Sequence, residues 1–417
     1  MEGAAARKAI EAVWRIESAR LIGGLVRLVR DVGLAEDLAQ EALVTALERW
    51  PETGIPDNPG AWLMATAKNR AFDHLRRRHM VERKHDALAD DASAAQPEIE
   101  ATLDEDVGDD LLRLVLIACH PVLSTEARVA LTLRLVGGLT TEEIARGFLV
   151  PEPTIAQRIV RAKRTLAEAR VPFEAPRGAE LAARLPSVLE VAYLIFNEGY
   201  AATRGDEWMR THLCDDALRL GRILVGLVPD EAEVHGLVAL MELQASRSPA
   251  RLGPSGEPIL LLEQDRSRWD RLLVHRGLVA LARAETLRHP LGPYALQAAI
   301  AACHARAATA DATDWPRIVA LYDALVELTQ SPVVALNRAV AVAMAFGPAA
   351  GLELVDELAG EPALRAYHLL PSVRGDLLAK LGRAEEARHE FERAAQMTQN
   401  SRERQLLLAR AKATGRA

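Results

Sequence analysis

Apolar residues in the first 80 positions recur at spacings of three and four. Ile10, Val13, Trp14, Ile16, Leu21 and Leu25 form one broad stripe over 8–30, and such spacing predicts an amphipathic helix. Leu38, Ala42, Leu43, Ala46 and Leu47 form a second stripe over 34–49. Pro51, Gly54, Pro56, Pro59 and Gly60 interrupt the pattern and predict a loop. A third helix is predicted over 60–79, with Trp62, Leu63, Ala67, Ala71 and Leu75 on one side and a densely basic surface toward its end. Residues 86–108 lose the periodicity; they are rich in Asp, Ala and Ser and contain Pro97, a composition that predicts a flexible linker.

A second helical module is predicted over 109–170. Its informative stretch is TTEEIARGFLVPEPTIAQRIVRAKRTL at 140–166. Thr140 or Thr141 can cap a short helix that carries Glu142 and Glu143 in its first turn. Phe148 to Pro151 end that helix, and Pro153 with Thr154 opens the next, because proline is tolerated in a first turn. Ala145 is small where the two would cross. Ile155, Ile159 and Ala162 form the apolar face of the second helix, and Gln157, Arg158, Arg161 and Arg164 leave it on the other side. Two short helices around a tight turn, the second basic, describe a helix-turn-helix. Gln and Arg are the side chains that pair bidentately with adenine and guanine edges in the major groove.

From 171 onward, helical-length segments are punctuated by Pro and Gly. Gly375, Gly382, Ala387, Phe391 and Ala394 fit the spacing of a tetratricopeptide repeat, which predicts a helical repeat-like array. Tyr193, Phe196 and Tyr200 cluster at its start. Such a cluster is either an interaction hot spot or ordinary helix-packing core.

Composition narrows the class. Aromatics make up 4% of the chain and hydrophobic residues 49%; an Ala/Leu-rich, aromatic-poor sequence favours helices, so an all-α fold is expected. Its 417 residues suggest two to four domains. Three cysteines make no disulfide framework, which points to the cytoplasm. Charges interrupt every apolar run at the start, unlike a secretory signal, and no stretch is long enough for an ordinary membrane span. No CxxC spacing joins Cys119, Cys214 and Cys303 to the neighbouring histidines, so no metal or other cofactor is expected. No GxSxG, P-loop, GxGxxG or HExxH motif occurs, and no catalytic residue is assigned. The net charge of -7 hides segregation: residues 66–85 hold seven Lys/Arg against two acids, 86–110 hold ten acids and no Lys or Arg, and 154–170 hold five Lys/Arg and one acid. Two basic patches around an acidic connector are the footprint of polyanion binding.

Three stretches occur in a telling order: AEDLAQEALVTALERW at 35–50, NPGAWLMATAKNRAFDHLRRR at 58–78, and the helix-turn-helix beyond the acidic linker. The order resembles the sigma-70 family of RNA polymerase sigma factors, of the small extracytoplasmic-function type. The resemblance implies sigma domain two over 1–85, the linker over 86–108, sigma domain four over 109–170, and no chemistry of its own. It implies core RNA polymerase and promoter DNA as partners and no membrane partner. It assigns Asp37, Gln40 and Glu41 to polymerase docking, on an acidic face that also carries Glu36. Asn58, Trp62, Asn69, Arg70, Asp73, Arg76, Arg77 and Arg78 are assigned to the −10 element, where Trp62 is either a stacking platform or core. Thr154, Gln157, Arg158 and Arg161, with Arg164 beside them, are assigned to the −35 element. YLIFNEGYAA at 193–202 and RSRWD at 266–270 resemble the helical extension of one subgroup, expected over 171–417. Tyr193, Phe196, Asn197, Glu198 and Tyr200 are the residues expected to dock that extension between domains, and a regulatory protein is a further expected partner. The alternative is a stand-alone helix-turn-helix regulator with a sensing repeat domain. Whether the extension inhibits or supports activity stays open.

Overall fold

The computed structural model describes residues 2–85, 107–148, 150–169, 171–173, 176, 178–288 and 290–414. The expected linker at 86–108 lies outside them except for its last two residues, which belong to a helix. The chain forms two compact units, Met1–Leu194 and Ile195–Ala417.

Unit 1 begins with α1 (Glu2–Val29), α2 (Val32–Thr53) and α3 (Pro59–His85). The helix starts are set locally. The Asp31 carboxylate accepts from the Leu34 amide at 2.9 Å and caps α2, and the Asn58 side chain accepts from the Ala61 amide at 3.0 Å at the start of α3. Ile22, Leu25, Leu38, Ala42, Ala46, Leu63, Ala67 and Ala71 are buried where these helices meet. Two residues of the expected stripes fall outside the core: Ile16 is 66% exposed and Leu47 36%.

The second half of unit 1 contains α4 (Val107–Ala118), α5 (Thr125–Leu135), α6 (Thr141–Phe148), α7 (Glu152–Glu168) and the first part of α8 (Ala179–Tyr200). Residues 179–194, expected to open the extension, pack here: Arg184 Nη2 donates to the Leu116 carbonyl at 3.0 Å, Ser187 Oγ to the Cys119 carbonyl at 2.7 Å, and Arg128 pairs with Glu190 at 3.1 Å.

Unit 2 is a run of helical hairpins: α9 (Thr211–Leu227), α10 (Ala232–Ala245), α11 (Arg271–Leu287), α12 (Pro293–Arg306), α13 (Trp315–Thr329), α14 (Pro332–Phe346), α15 (Pro348–Glu357), α16 (Leu369–Lys380), α17 (Ala384–Met397) and α18 (Ser401–Thr414). The residues noted for repeat spacing build one of them. Gly382 turns at φ 76°, a left-handed conformation glycine adopts freely, while Ala387, Phe391 and Ala394 are buried and Gly375 faces the Phe391 ring. Gly236 on α10 permits a close crossing: a Cβ there would lie 2.6 Å from the Ala295 amide nitrogen of α12.

Among the described residues, a short pair of strands interrupts the helical fold. β1 (Arg204–Gly205) and β2 (Gln399–Asn400) form a two-residue parallel ladder joining the beginning of unit 2 to its end. Asn400, 1% exposed, anchors it by donating Nδ2 to the Ala202 and Glu207 carbonyls at 2.9 and 2.8 Å. Asn400→Ala leaves both carbonyls without that donor. It is expected to cost about 1–3 kcal/mol in chemical denaturation and to raise hydrogen exchange at 202–207 before that of α14 and α16.

Candidate nucleic-acid interface

The helix-turn-helix is built by a reciprocal cap. The Thr140 amide donates to Glu143 Oε2 at 2.8 Å, and the Glu143 amide donates to Thr140 Oγ1 at 3.1 Å, a capping box that starts α6. Thr140, not Thr141, is therefore the capping residue. Ile144 and Ala145 are buried on α6, and Ile155, Ile159, Ala162 and Leu166 on α7. The turn closes as the Val150 amide reaches the Ala145 carbonyl at 3.1 Å. Pro151 precedes α7, and Pro153 takes a first-turn position where no amide is needed.

That packing decides what α7 presents. Gln157, Arg161 and Arg164 are exposed, and Thr154 and Arg158 are half-buried at the edge of the face. Arg158 lies close enough to add its charge to Glu126, whose carboxyl is held below the usual range chiefly by hydrogen bonds from its own backbone amide and from Ser124. Arg164 has an exposed i,i+4 partner in Glu168 at 3.4 Å, an interaction of little energy in water. The face is cationic and set on a rigid helix, as base-edge contact requires.

On α3, Asn69, Asp73, Arg76 and Arg77 are exposed, and the Arg78 side chain lies outside the described residues. Arg70 pairs with Glu41 and donates Nη2 to Thr45 Oγ1 at 2.7 Å, tying α3 to α2. A residue assigned to DNA and one assigned to polymerase thus hold each other. Asn58 caps α3, a local role that its sequence assignment did not include. Trp62 is half-buried and edge-on to the buried Trp50, with centroids 5.2 Å apart at 65°. That contact is core packing and occupies part of the indole.

On α2, Asp37 and Glu41 are exposed, and Gln40 Nε2 donates to Glu36 Oε1 at 2.5 Å. Glu36 departs from the expected acidic surface. It is 3% exposed and takes Arg134 and Lys163. It was expected on one acidic face with Asp37 and Glu41, and nothing in the sequence pointed to cations 98 or more positions away.

The aromatic cluster is divided by the fold. Phe196 is 1% exposed and stacks on Tyr200 at 5.6 Å within unit 2. The Arg251 guanidinium lies 3.6 Å from the Tyr200 ring centroid. Glu198 pairs with Arg210 and accepts from Thr203 Oγ1 at 2.9 Å. Asn197 is exposed, and Tyr193 is half-buried in unit 1. Phe196, Glu198 and Tyr200 thus each have partners inside unit 2. The RSRWD stretch is structural as well. Buried Arg266 donates to the His304 and Ala307 carbonyls at 2.7 Å and to Thr313 Oγ1 at 3.0 Å. Asp270 caps α11 by accepting from the Leu272 and Leu273 amides. Burial pushes the Cys119 thiol up to about 11 and Cys214 up to about 12, which keeps both thiols protonated near neutral pH. No described helix is long and apolar enough to cross a membrane.

A three-helix module with a polar α3 face, followed by a helix-turn-helix with a cationic second helix, defines a two-module promoter-reading protein. Comparison with known proteins agrees. Residues 16–80 match Sigma-70 region 2 and residues 113–166 match Sigma-70, region 4; residues 184–285 match a family of unknown function (DUF6596). An uncharacterized protein of Rhizobium meliloti (strain 1021) is 44% identical over 384 residues, covering 92% of this chain and 90% of that protein. The RNA polymerase sigma-H factor of Pseudomonas aeruginosa is 31% identical over 159 residues, 37% of this chain and 82% of that one. The probable ECF RNA polymerase sigma factor SigI of Mycobacterium tuberculosis (strain ATCC 25618 / H37Rv) is 31% identical over 169 residues, 39% of this chain and 56% of that factor. The chain belongs to the sigma-70 family of RNA polymerase sigma factors, of the extracytoplasmic-function type, and carries a C-terminal helical domain. It serves promoter-directed transcription initiation.

The capping box gives a local prediction. Thr140→Ala is expected to lose about 1 kcal/mol in chemical denaturation, and Thr141→Ala much less. Equal losses would show that Thr140 is not the cap.

Proposed function

We propose that the two modules divide promoter recognition. The exposed polar face of α3 (Asn69, Asp73, Arg76, Arg77, with Arg78 after them) meets the −10 element, and α7 meets the −35 element through Thr154, Gln157, Arg158, Arg161 and Arg164. The observation that carries this reading is the two-faced α7: Ile155, Ile159, Ala162 and Leu166 are buried while Gln157, Arg161 and Arg164 stand in water. Asp37, Gln40 and Glu41 on α2 dock on core polymerase, and Arg70 orients Glu41 for that contact. Asn58 and Trp62 act on the −10 contact from beneath, by starting α3 and fixing it to Trp50. The protein works in the cytoplasm with the polymerase and supplies specificity, not catalysis. The C-terminal helical domain regulates activity in cis or binds a regulatory protein. The packing of residues 179–194 on α4 and α5 favours a role in cis, because it places the start of the extension on the −35-reading module.

Run-off transcription with purified core polymerase and a promoter library tests the whole reading; a chain that directs no initiation from any promoter would overturn it. Within that assay Arg158→Ala is expected to cost about 1–3 kcal/mol at one upstream position if it contacts a base, or to weaken all promoters evenly if it holds phosphate. Promoter choice untouched by Gln157→Ala and Arg158→Ala together removes α7 from the DNA. Gln40→Ala with Glu41→Ala is expected to weaken polymerase binding while helicity by circular dichroism is retained; unchanged affinity removes α2 from the docking surface.

A further inference from the structure

Region two and region four touch inside unit 1 through buried charge. Glu36 on α2 receives Arg134 Nε at 2.6 Å on one oxygen and Lys163 Nζ at 2.5 Å on the other. Arg134 lies in the last turn of α5, and Lys163 lies on α7, the helix assigned to the −35 element. Asp110 at the start of α4 is 4% exposed, pairs with Arg113, and has Arg27 of α1 at 3.5 Å. Beside it the backbones nearly meet: a Cβ at Gly23 of α1 would lie 2.8 Å from the Asp110 carbonyl oxygen.

We propose that these contacts form a latch that holds the free sigma factor closed, with Glu36 occupying the recognition-helix Lys163 in the place a DNA phosphate would take. The proposal rests on the reading of α3 and α7 as the two promoter-contacting helices. Magnitudes support closure as an inactive state. Elements named for positions −10 and −35 are separated by 25 base pairs, about 85 Å of B-form duplex at 3.4 Å per pair. A compact unit of this length has a radius of gyration of about 16 Å and hence a diameter of about 40 Å. The closed unit cannot reach both elements at once, so promoter engagement requires the regions to part. Lys163 then exchanges a carboxylate for phosphate, and Glu36 becomes exposed beside Asp37, Gln40 and Glu41 on the polymerase-docking helix.

The chemistry of the seam suits a switch. Desolvation of a buried ion pair offsets much of its attraction, so the pair specifies one arrangement without making it strongly favourable. The seam is also incompletely packed. A cavity of about 670 Å³ lies between α1, α2, α4 and α7. Of its cationic wall residues, Arg27 and Arg113 are held by Asp110 and Lys163 by Glu36, while Arg30 is exposed.

The test uses the full-length protein with dyes on Asp57→Cys and Glu168→Cys, both exposed; the three native thiols are buried. Single-molecule energy transfer then reports the distance between the regions. The parent chain is expected to populate a high-transfer closed form at low salt and to lose it when core polymerase is added. Glu36→Gln is expected to lower the closed-to-open ratio at least about tenfold, because it strands both Arg134 and Lys163 at the seam; Lys163→Gln is expected to lower it less, because Arg134 still neutralises Glu36. Gly23→Ala supplies a variant without charge change. Alanine favours helix over glycine, so loss of closure with undiminished helicity separates opening of the seam from unfolding. A parent chain that shows only low transfer, or a closed-to-open ratio unchanged in both charge variants, overturns the latch. Failure of the promoter-reading assignment shows elsewhere, as run-off transcription insensitive to changes in α7.

Discussion

Close approach of helices through small residues is the constraint on which this molecule depends. With few aromatics, the cores of both units are assembled mainly from Ala, Leu, Val, Ile and Gly. Ala35, Ala39, Ala42 and Ala46 on α2, and Ala67 and Ala71 on α3, are completely buried. Backbones brought together this way leave narrow apolar seams, and long side chains such as Arg, Lys, Glu and Gln must either leave the seam or be neutralised within it. In α7 they leave, which produces the cationic face. At Glu36 the side chain remains, and Arg134 and Lys163 neutralise it. Surface function and buried electrostatics thus follow from the same packing choice.

Much of this was legible in the sequence because it is local. The helix-turn-helix, the caps at its start, the turn at Pro151 and the exposed set Gln157, Arg161 and Arg164 all depend on residues within a few positions of one another. So does the hairpin of α16 and α17, where Gly382 makes a left-handed turn and Gly375 meets the Phe391 ring. What was not legible depends on distant partners. Periodicity assigns a residue to a face but does not say what lies opposite. Glu36 was placed on an acidic surface for that reason, and Ile16 in an apolar stripe. The pairing of Arg70 with Glu41 likewise joins two residues that motif matching had assigned to different macromolecules. The parallel ladder of β1 and β2 has no sequence signature, since two residues a side carry no alternation and their partners are 195 positions apart.

The motif-like stretches of the extension teach the converse lesson. YLIFNEGY and RSRWD attract notice because aromatic and charged residues are concentrated there. Most of those residues are used within the fold of unit 2. Arg266 clips an irregular segment to the end of α12, Asp270 starts α11, and Glu198 and Arg210 satisfy one another. A buried arginine that serves carbonyl oxygens is as demanding of its surroundings as a catalytic one, and composition alone does not separate the two.

Residues 179–194 bear most directly on how the extension acts. An independent partner-binding module tethered to region four would need no contact with α4 or α5, and its first helix would be free to present Arg184, Ser187 and Glu190 elsewhere. Instead these three side chains are committed to Leu116, Cys119 and Arg128. Leu116 and Cys119 lie on the helix, or just past its end, whose first turn holds Asp110 against Arg27. In the proposed role in cis, α4 is the element that would carry a displacement of residues 179–194 to the contact between regions two and four. That role predicts no direction of regulation, since the same lever can stabilise the closed arrangement or pull against it.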